Sequence, residues 1–189
     1  MGDIMVFDCE TTGINPYDGD ASLLTFQYKI NNHPIDILAI WNYNDDEAEL
    51  IQKIIQVFQS LDDYSDLITY NGLFDIQYMM GRTVITSDVY DASRLYQAIQ
   101  DKRFHHDLMK LYMYENNGFP LTLNKLCARK LGIKPESSYV GRDMPKLYLT
   151  ERYEEILKHA EDDVKMTYEL AKTRREIKVL QKKNSIILQ

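Results

Sequence analysis

The stretch Asp3-Ile4-Met5-Val6-Phe7-Asp8-Cys9-Glu10-Thr11-Thr12-Gly13 is an apolar run that ends in two carboxylates one residue apart. In a β-strand successive side chains point to opposite faces, so Asp8 and Glu10 share one face while Phe7 and Cys9 turn into the core. Two acids at that spacing raise each other's pKa, a cost to stability that a bound cation offsets. Oxygen ligands held in this way suit a hard divalent metal. The strand end is therefore a candidate metal site, with a pair of solvated turn acids as the plainer alternative.

A chain of 189 residues is long enough to bury a core without disulfides or structural metal, and the expectation is one domain over residues 1–189. Cys9 and Cys127 stand far apart and outside any Cys/His cluster of zinc-site spacing, so both read as buried thiols. No apolar run approaches the length needed to cross a bilayer. The N-terminus also lacks the basic, apolar, small-residue succession of a secretory signal, which makes the expected compartment cytoplasmic or nuclear and a membrane partner unexpected. The net charge of −7 is unevenly spread. Residues 1–100 hold 4 Lys+Arg against 16 Asp+Glu, and residues 101–189 hold 18 against 13. The second half is the better surface for phosphate, and bound metal would neutralise part of the acidity of the first.

Hydrophobic periodicity gives a strand over residues 3–9, then a turn-rich surface loop with Gly13, Asn15-Pro16 and Asp18-Gly19. Two β-rich runs follow, Leu23 to Ile30 and Ile35 to Trp41, joined as a hairpin. A helix is expected over the apolar positions Leu50 to Leu61, with Asp45, Asp46 and Glu47 at its N-terminal end where the dipole favours acids. Asp66 to Tyr70 reads as a short strand, a helix starts near Phe74, and Val84 to Tyr90 reads as a fifth strand. Helices are expected at Ser93 to Ile99, Leu108 to Tyr114, Thr122 to Leu131 with Gly132 as C-cap, and about Glu151 to Leu180, with 134–149 as a loop. The fold class is α/β: a mixed sheet of about five strands, the three N-terminal ones antiparallel, flanked by helices.

Two further acids stand in suggestive contexts. Asp75 follows the Asn71-Gly72 turn where a strand gives way to a helix, which places it at the same sheet edge as Asp8. Asp163 lies four residues after His159 and shares a helix face with it. An imidazole beside a carboxylate suits handling the proton of an attacking water. Singly these are a helix cap and a surface pair, and Asp162 is an alternative to Asp163. The pair His105-His106 reads as surface, and the basic tail Lys172 to Lys183 reads as a phosphate track or a solvated helix face.

In this order the motifs resemble those of the DEDD superfamily of 3′-to-5′ exonucleases, which have a ribonuclease-H-like fold. Asp8 to Gly13 matches the motif Asp-x-Glu-Thr-Thr-Gly, Asn71 and Phe74-Asp75 match Asn-x-x-x-Asp with its preceding aromatic, and Asp163-Val164-Lys165-Met166-Thr167 matches Asp-Val-x-x-Thr. The stretch Leu121 to Gly132 is similar to the helix that precedes the third motif in relatives. One branch of the family has Tyr four residues before the last Asp and another has His five before it. Here His159 occupies the Tyr position, so the chain looks like the Tyr branch with His substituted.

The resemblance implies hydrolysis of phosphodiester bonds at the 3′ end of single-stranded DNA or RNA with two Mg2+ or Mn2+ ions, about 3.5–4 Å apart in such sites. It implies Asp8 bridging the ions, Glu10 and Asp163 completing the tighter site, and Asp75 acting through an intervening water. His159 would orient or deprotonate the attacking water. The backbone around Thr11 and Thr12 would contact the terminal nucleotide, and Asn71 would bond to substrate or brace its loop. A structure-specific endonuclease on the same fold, or an inactive nucleic-acid-binding module, are the alternatives.

Overall fold

The computed structural model describes residues 3–102 and 104–174. Five strands form one mixed sheet in the order β3-β2-β1-β4-β5. Strand β1 (Ile4–Thr11) lies at its centre, antiparallel to β2 (Leu23–Ile30) and parallel to β4 (Asp66–Thr69). Strand β3 (Ile35–Ala39) continues the antiparallel side, and β5 (Phe104–Asp107) runs parallel to β4. The helices described are α1 (Glu47–Ser60), α2 (Gly72–Thr86), α3 (Val89–Gln100), α4 (Leu108–Glu115), α5 (Leu123–Leu131), α6 (Met144–Leu149) and α7 (Tyr153–Ala171). The expected five-stranded α/β architecture with three antiparallel N-terminal strands is borne out.

The alternation of β1 sorts its side chains between two cores. Met5, Phe7 and Cys9 face α1, α2 and α3, packing with Leu50, Ile54, Phe58, Tyr78 and Leu95. The Phe7 ring meets Phe58 edge-on at a centroid distance of 5.4 Å, a favoured aromatic geometry. Ile4 and Val6 face the other way, with Ile68, Leu126, Cys127, Val164 and Leu170. Each fully buried side chain of this size contributes roughly 1.5–3 kcal/mol. Because Ile4 and Val6 face the layer that holds α7, the next residues of that face, Asp8 and Glu10, come out against the same helix.

Local chemistry sets the helix ends. Asp46 caps α1, its Oδ1 accepting from the backbone N–H of Ala48 (3.0 Å) and Glu49 (3.2 Å). Thr122 caps α5, which closes at Gly132 with φ 71°. The chain passes from β4 to α2 through Asn71 at φ 65° and Gly72. A Cβ on Gly72 would lie 2.1 Å from Thr69 Oγ1, so only glycine fits. A buried ion pair joins Arg82 of α2 to Glu47 of α1 at 2.6 Å. Glu47 Oε1 also accepts from Leu23 N at 2.7 Å, and Arg82 Nη1 donates to Pro16 O at 2.9 Å. This network fastens the loop after β1 to the two helices and to the start of β2.

Several expectations are corrected. Val84 to Tyr90 is not a strand: α2 runs on to Thr86 and α3 begins at Val89. Its β-branched residues cost a helix only a few tenths of a kcal/mol each, and the helical period of the buried Tyr78, Met79 and Arg82 prevails. The fifth strand is β5, which contains the His105-His106 pair. His105 remains exposed, as expected of a surface residue, while its ring lies over Phe7 at 6.3 Å and its Nε2 stands 2.8 Å from Thr69 Oγ1. The expected loop at 134–149 contains α6. Strand β1 extends to Thr11, past the expected end at residue 9, and β3 stops at Ala39, where a 3-10 turn, Ile40–Tyr43, takes over. Helix α7 starts at Tyr153, after Glu151 at φ 55°, and ends at Ala171. The remainder of the expected helix to Leu180, and most of the basic tail, lie outside the described residues. No helix among the described residues is long and apolar enough to cross a membrane.

Candidate metal centre and nucleic-acid cleft

A cleft of about 470 Å³ opens where β1 ends. Its walls include Asp8, Glu10, Thr11, Asn71, Asp75, His159 and Asp163, so seven of the eight residues singled out from sequence come together there. The exception is Thr12. Its hydroxyl donates to Asp20 O at 3.0 Å and accepts from Ser22 N at 2.7 Å, which pins the two ends of the 12–22 loop together and commits the side chain to structure.

Each acid arrives from a different constraint. Asp8 pairs in register with Gln27 of β2, and Gln27 Nε2 donates to Asp8 Oδ2 at 2.7 Å while its own Oε1 accepts from Thr25 Oγ1 at 2.9 Å. The register shifts between Glu10 and Thr11, a bulge of the kind that re-aims side chains at a strand end. Asp75 sits in the first turn of α2, and its Oδ1 accepts from both the N–H and the thiol of Cys9, each at 3.2 Å. The turn that delivers it is fixed in turn by Asp107, whose Oδ1 accepts from Asn71 N at 2.9 Å and Met109 N at 3.1 Å. From α7, His159 Nε2 lies 3.6 Å from Glu10 Oε1 and 3.7 Å from Asp163 Oδ2.

The electrostatics follow from this crowding. Burial pushes the Asp8 carboxyl well above its ordinary range, and Asp75, Glu10 and Asp163 push it further, while the Gln27 hydrogen bond pulls it partly back. Glu10 is raised by burial and then by Asp163 and Asp75. Burial lifts Asp75 to about 7 against the pull of its Cys9 hydrogen bonds. Asp163 is likewise lifted to about 7, by burial and then by Asp162. Burial lowers the pKa of His159, so the ring is neutral near pH 7. Four acids that resist ionisation beside one another fit a site completed by divalent cations, since carboxylate oxygens are ligands that hard ions take. Among the described residues, Glu10, His159 and Asp163 form the one group of three with ligand atoms all within 4.8 Å of one another.

Asp162, the alternative to Asp163, faces elsewhere: its Oδ2 accepts from Ser137 N at 2.6 Å, tying α7 to the segment that leads to Arg142. A hydrogen bond to a charged group contributes roughly 1.5–3 kcal/mol, so Asp162→Ala is expected to lower unfolding stability by that amount in urea titration. A loss below about 0.5 kcal/mol would show that the Ser137 N–H is not dependent on this partner.

Sequence reasoning missed Gln27, Tyr70, Asn124 and Arg142. The polar alternation Thr25, Gln27, Lys29 in β2 was the available signal for Gln27. Tyr70 donates its hydroxyl to Leu121 O, fastening β4 to the start of α5. Arg142, in a 3-10 turn over the cleft, forms no ion pair or side-chain hydrogen bond with the described residues and is the only Lys or Arg among the described lining residues.

Comparison with known proteins places this geometry. A family B DNA polymerase from the hyperthermophilic archaeon Pyrobaculum calidifontis is similar with a TM-score of 0.69 at 17% identity, over 91% of this chain and 24% of that one. An exonuclease I structure is similar with a TM-score of 0.61 at 14% identity, over 93% and 42%. E. coli exonuclease I in complex with a 5cy-dA13 oligonucleotide gives 0.58, 14%, 93% and 41%. The chain thus spans less than half the length of these structures, and the likeness is one of fold. Comparison with curated protein sequences finds no match. The RNase_H_2 family model, of the RNase_H superfamily, matches residues 5–174. With that match running through β1, the Asn71 turn and α7 alike, the chain belongs to the RNase_H superfamily and has its ribonuclease-H-like fold.

Proposed function

We propose that this protein is a metal-dependent 3′-to-5′ exonuclease acting on single-stranded DNA or RNA. The observation that carries the proposal is the meeting of Asp8, Glu10, Asp75 and Asp163, from one strand and two helices, on one cleft in an RNase_H-superfamily fold. Their order and context match the DEDD motifs, and the similar folds include exonuclease I with an oligonucleotide. Divalent cations bound by these acids would polarise the scissile phosphate and stabilise the attacking and leaving oxygens.

The chain's own residues divide the remaining work. Gln27 occupies Asp8 Oδ2, which leaves Oδ1 for a cation. Cys9 occupies Asp75 Oδ1, which suits Asp75 to an indirect role through water. Thr11 spends its hydroxyl on Gly13 O at 2.6 Å, so its contact with a terminal nucleotide is through backbone. Asn71 has its N–H held by Asp107 and its side chain at the cleft, where it is available to the substrate. A cleft of this volume is sized for a small molecule, which favours entry of a strand end over engagement of a duplex.

Arg142 supplies the one positive charge among the described residues of this wall, and a guanidinium suits phosphate recognition. Arg142→Ala is expected to raise KM for a single-stranded oligonucleotide by roughly tenfold, the equivalent of one charge-assisted hydrogen bond, with kcat within about threefold of the parent. Steady-state kinetics on a labelled oligonucleotide checks this, and an unchanged KM contradicts it. A circular single-stranded substrate separates the exonuclease from an endonuclease on the same fold: the exonuclease leaves it intact.

A further inference from the structure

We infer that His159 is itself a ligand, through Nε2, of the cation held by Glu10 and Asp163, and that this position prefers Mn2+ to Mg2+. The inference rests on the proposed metal-dependent reading of the same site and assigns His159 a role other than proton transfer to water.

His159 Nε2 stands 3.6 Å from Glu10 Oε1 and 3.7 Å from Asp163 Oδ2. Both separations are beyond a normal hydrogen bond, so the ring is not bonded to either acid. They are also too short for a water hydrogen-bonded to both members of a pair at about 2.8 Å without an acute angle between its partners. Two ligand atoms bonded to one ion at about 2.0–2.2 Å each span up to about 4.4 Å, and both separations fall inside that limit. All three ligand atoms lie within 4.8 Å of one another.

The ring is also free to present a lone pair. His159 is 4% exposed, held in place by burial. Its Nδ1 makes no hydrogen bond within the described structure, so no bond there forces the proton onto Nε2, and the Nδ1–H tautomer aims a bare Nε2 at the two acids. The origin of the arrangement is the helical spacing: with His four residues before Asp163, both project from the same face of α7 toward Glu10. The resulting set is two carboxylates and one imidazole. Nitrogen donors raise the affinity of a site for first-row transition ions, whereas Mg2+ favours all-oxygen ligands.

The test uses the 189-residue chain with Mn2+ alone. Electron spin-echo modulation of bound Mn2+ is expected to show a directly coordinated 14N in the parent and none in His159→Gln. Calorimetry is expected to show Mn2+ affinity falling at least tenfold in His159→Gln, with Mg2+ affinity changed less than threefold. Absence of nitrogen coupling in the parent, its persistence in His159→Gln, or equal loss of Mn2+ and Mg2+ affinity overturns the inference. The parent spectrum is decisive even if the variant is unstable. Nitrogen coupling without oligonucleotide hydrolysis would uphold the ligand assignment and remove the nuclease reading. Hydrolysis without nitrogen coupling would do the reverse.

Discussion

Asp8→Asn is expected to reduce phosphodiester hydrolysis by at least about three orders of magnitude. Cation polarisation at such a centre supplies several kcal/mol of transition-state stabilisation, and each 1.36 kcal/mol is tenfold in rate. Asn retains a carbonyl oxygen for the Gln27 Nε2 donor, so the packing of β1 against β2 survives. Stability is expected to change in the opposite direction at the neighbouring acid. Asp163 is lifted to about 7 by burial and by Asp162, which means that its charged form is disfavoured in the folded protein. Asp163→Asn should therefore lose activity to a similar degree while raising the melting temperature of the metal-free protein at pH 8. A relief on the order of 1 kcal/mol corresponds to about 2–4 °C for a domain of this size. A variant that loses activity and also melts lower by several degrees would mean that the acid serves folding and not the centre.

The second large effect is a pH dependence that reverses with metal. Asp75 and Asp163 are both raised to about 7, and Asp8 and Glu10 are raised as well. Their unfolded-state values are about 4. From about 4 upward the folded protein binds more protons than the unfolded chain, so the centre's contribution to stability falls as pH rises through the folded-state values, about 7 for Asp75 and Asp163. Divalent ions bind the deprotonated acids, so metal affinity rises over the same interval. In calorimetric melts in chelator, the difference between the parent and Asp163→Asn should widen from pH 5 to pH 8, and saturating Mn2+ should abolish or invert it. A difference independent of pH in chelator would contradict the crowding of the four acids.

The parts of the site visible in the sequence are those carried by short-range geometry. Period-two alternation placed Asp8 and Glu10 on one face, because β1 continues through both. The four-residue interval placed His159 and Asp163 together on α7. Asp75 was marked by the Asn71-Gly72 turn, whose need for glycine follows from the contact with Thr69. What escaped depends on long-range register. Gln27 reaches Asp8 only because β2 pairs with β1 at that residue. Arg142 reaches the cleft through the anchoring of its segment by Asp162, a contact between residues 25 apart. The four-residue strand Phe104–Asp107 has no apolar alternation to reveal it, since parallel pairing with β4 supplies its order. The β-rich run at Val84 misled for the complementary reason: the buried face of α2 determined its conformation. Thr12, adjacent to Thr11 in the same motif, points its hydroxyl away to the loop, which the motif does not distinguish.

The most direct measurement is incubation of 5′-labelled single-stranded DNA and RNA oligonucleotides with the protein and Mg2+ or Mn2+. A ladder of products shortened one nucleotide at a time from the 3′ end is expected, abolished by chelator and by Asp8→Asn. Absence of a ladder with both ions, or a ladder that survives Asp8→Asn, would contradict it.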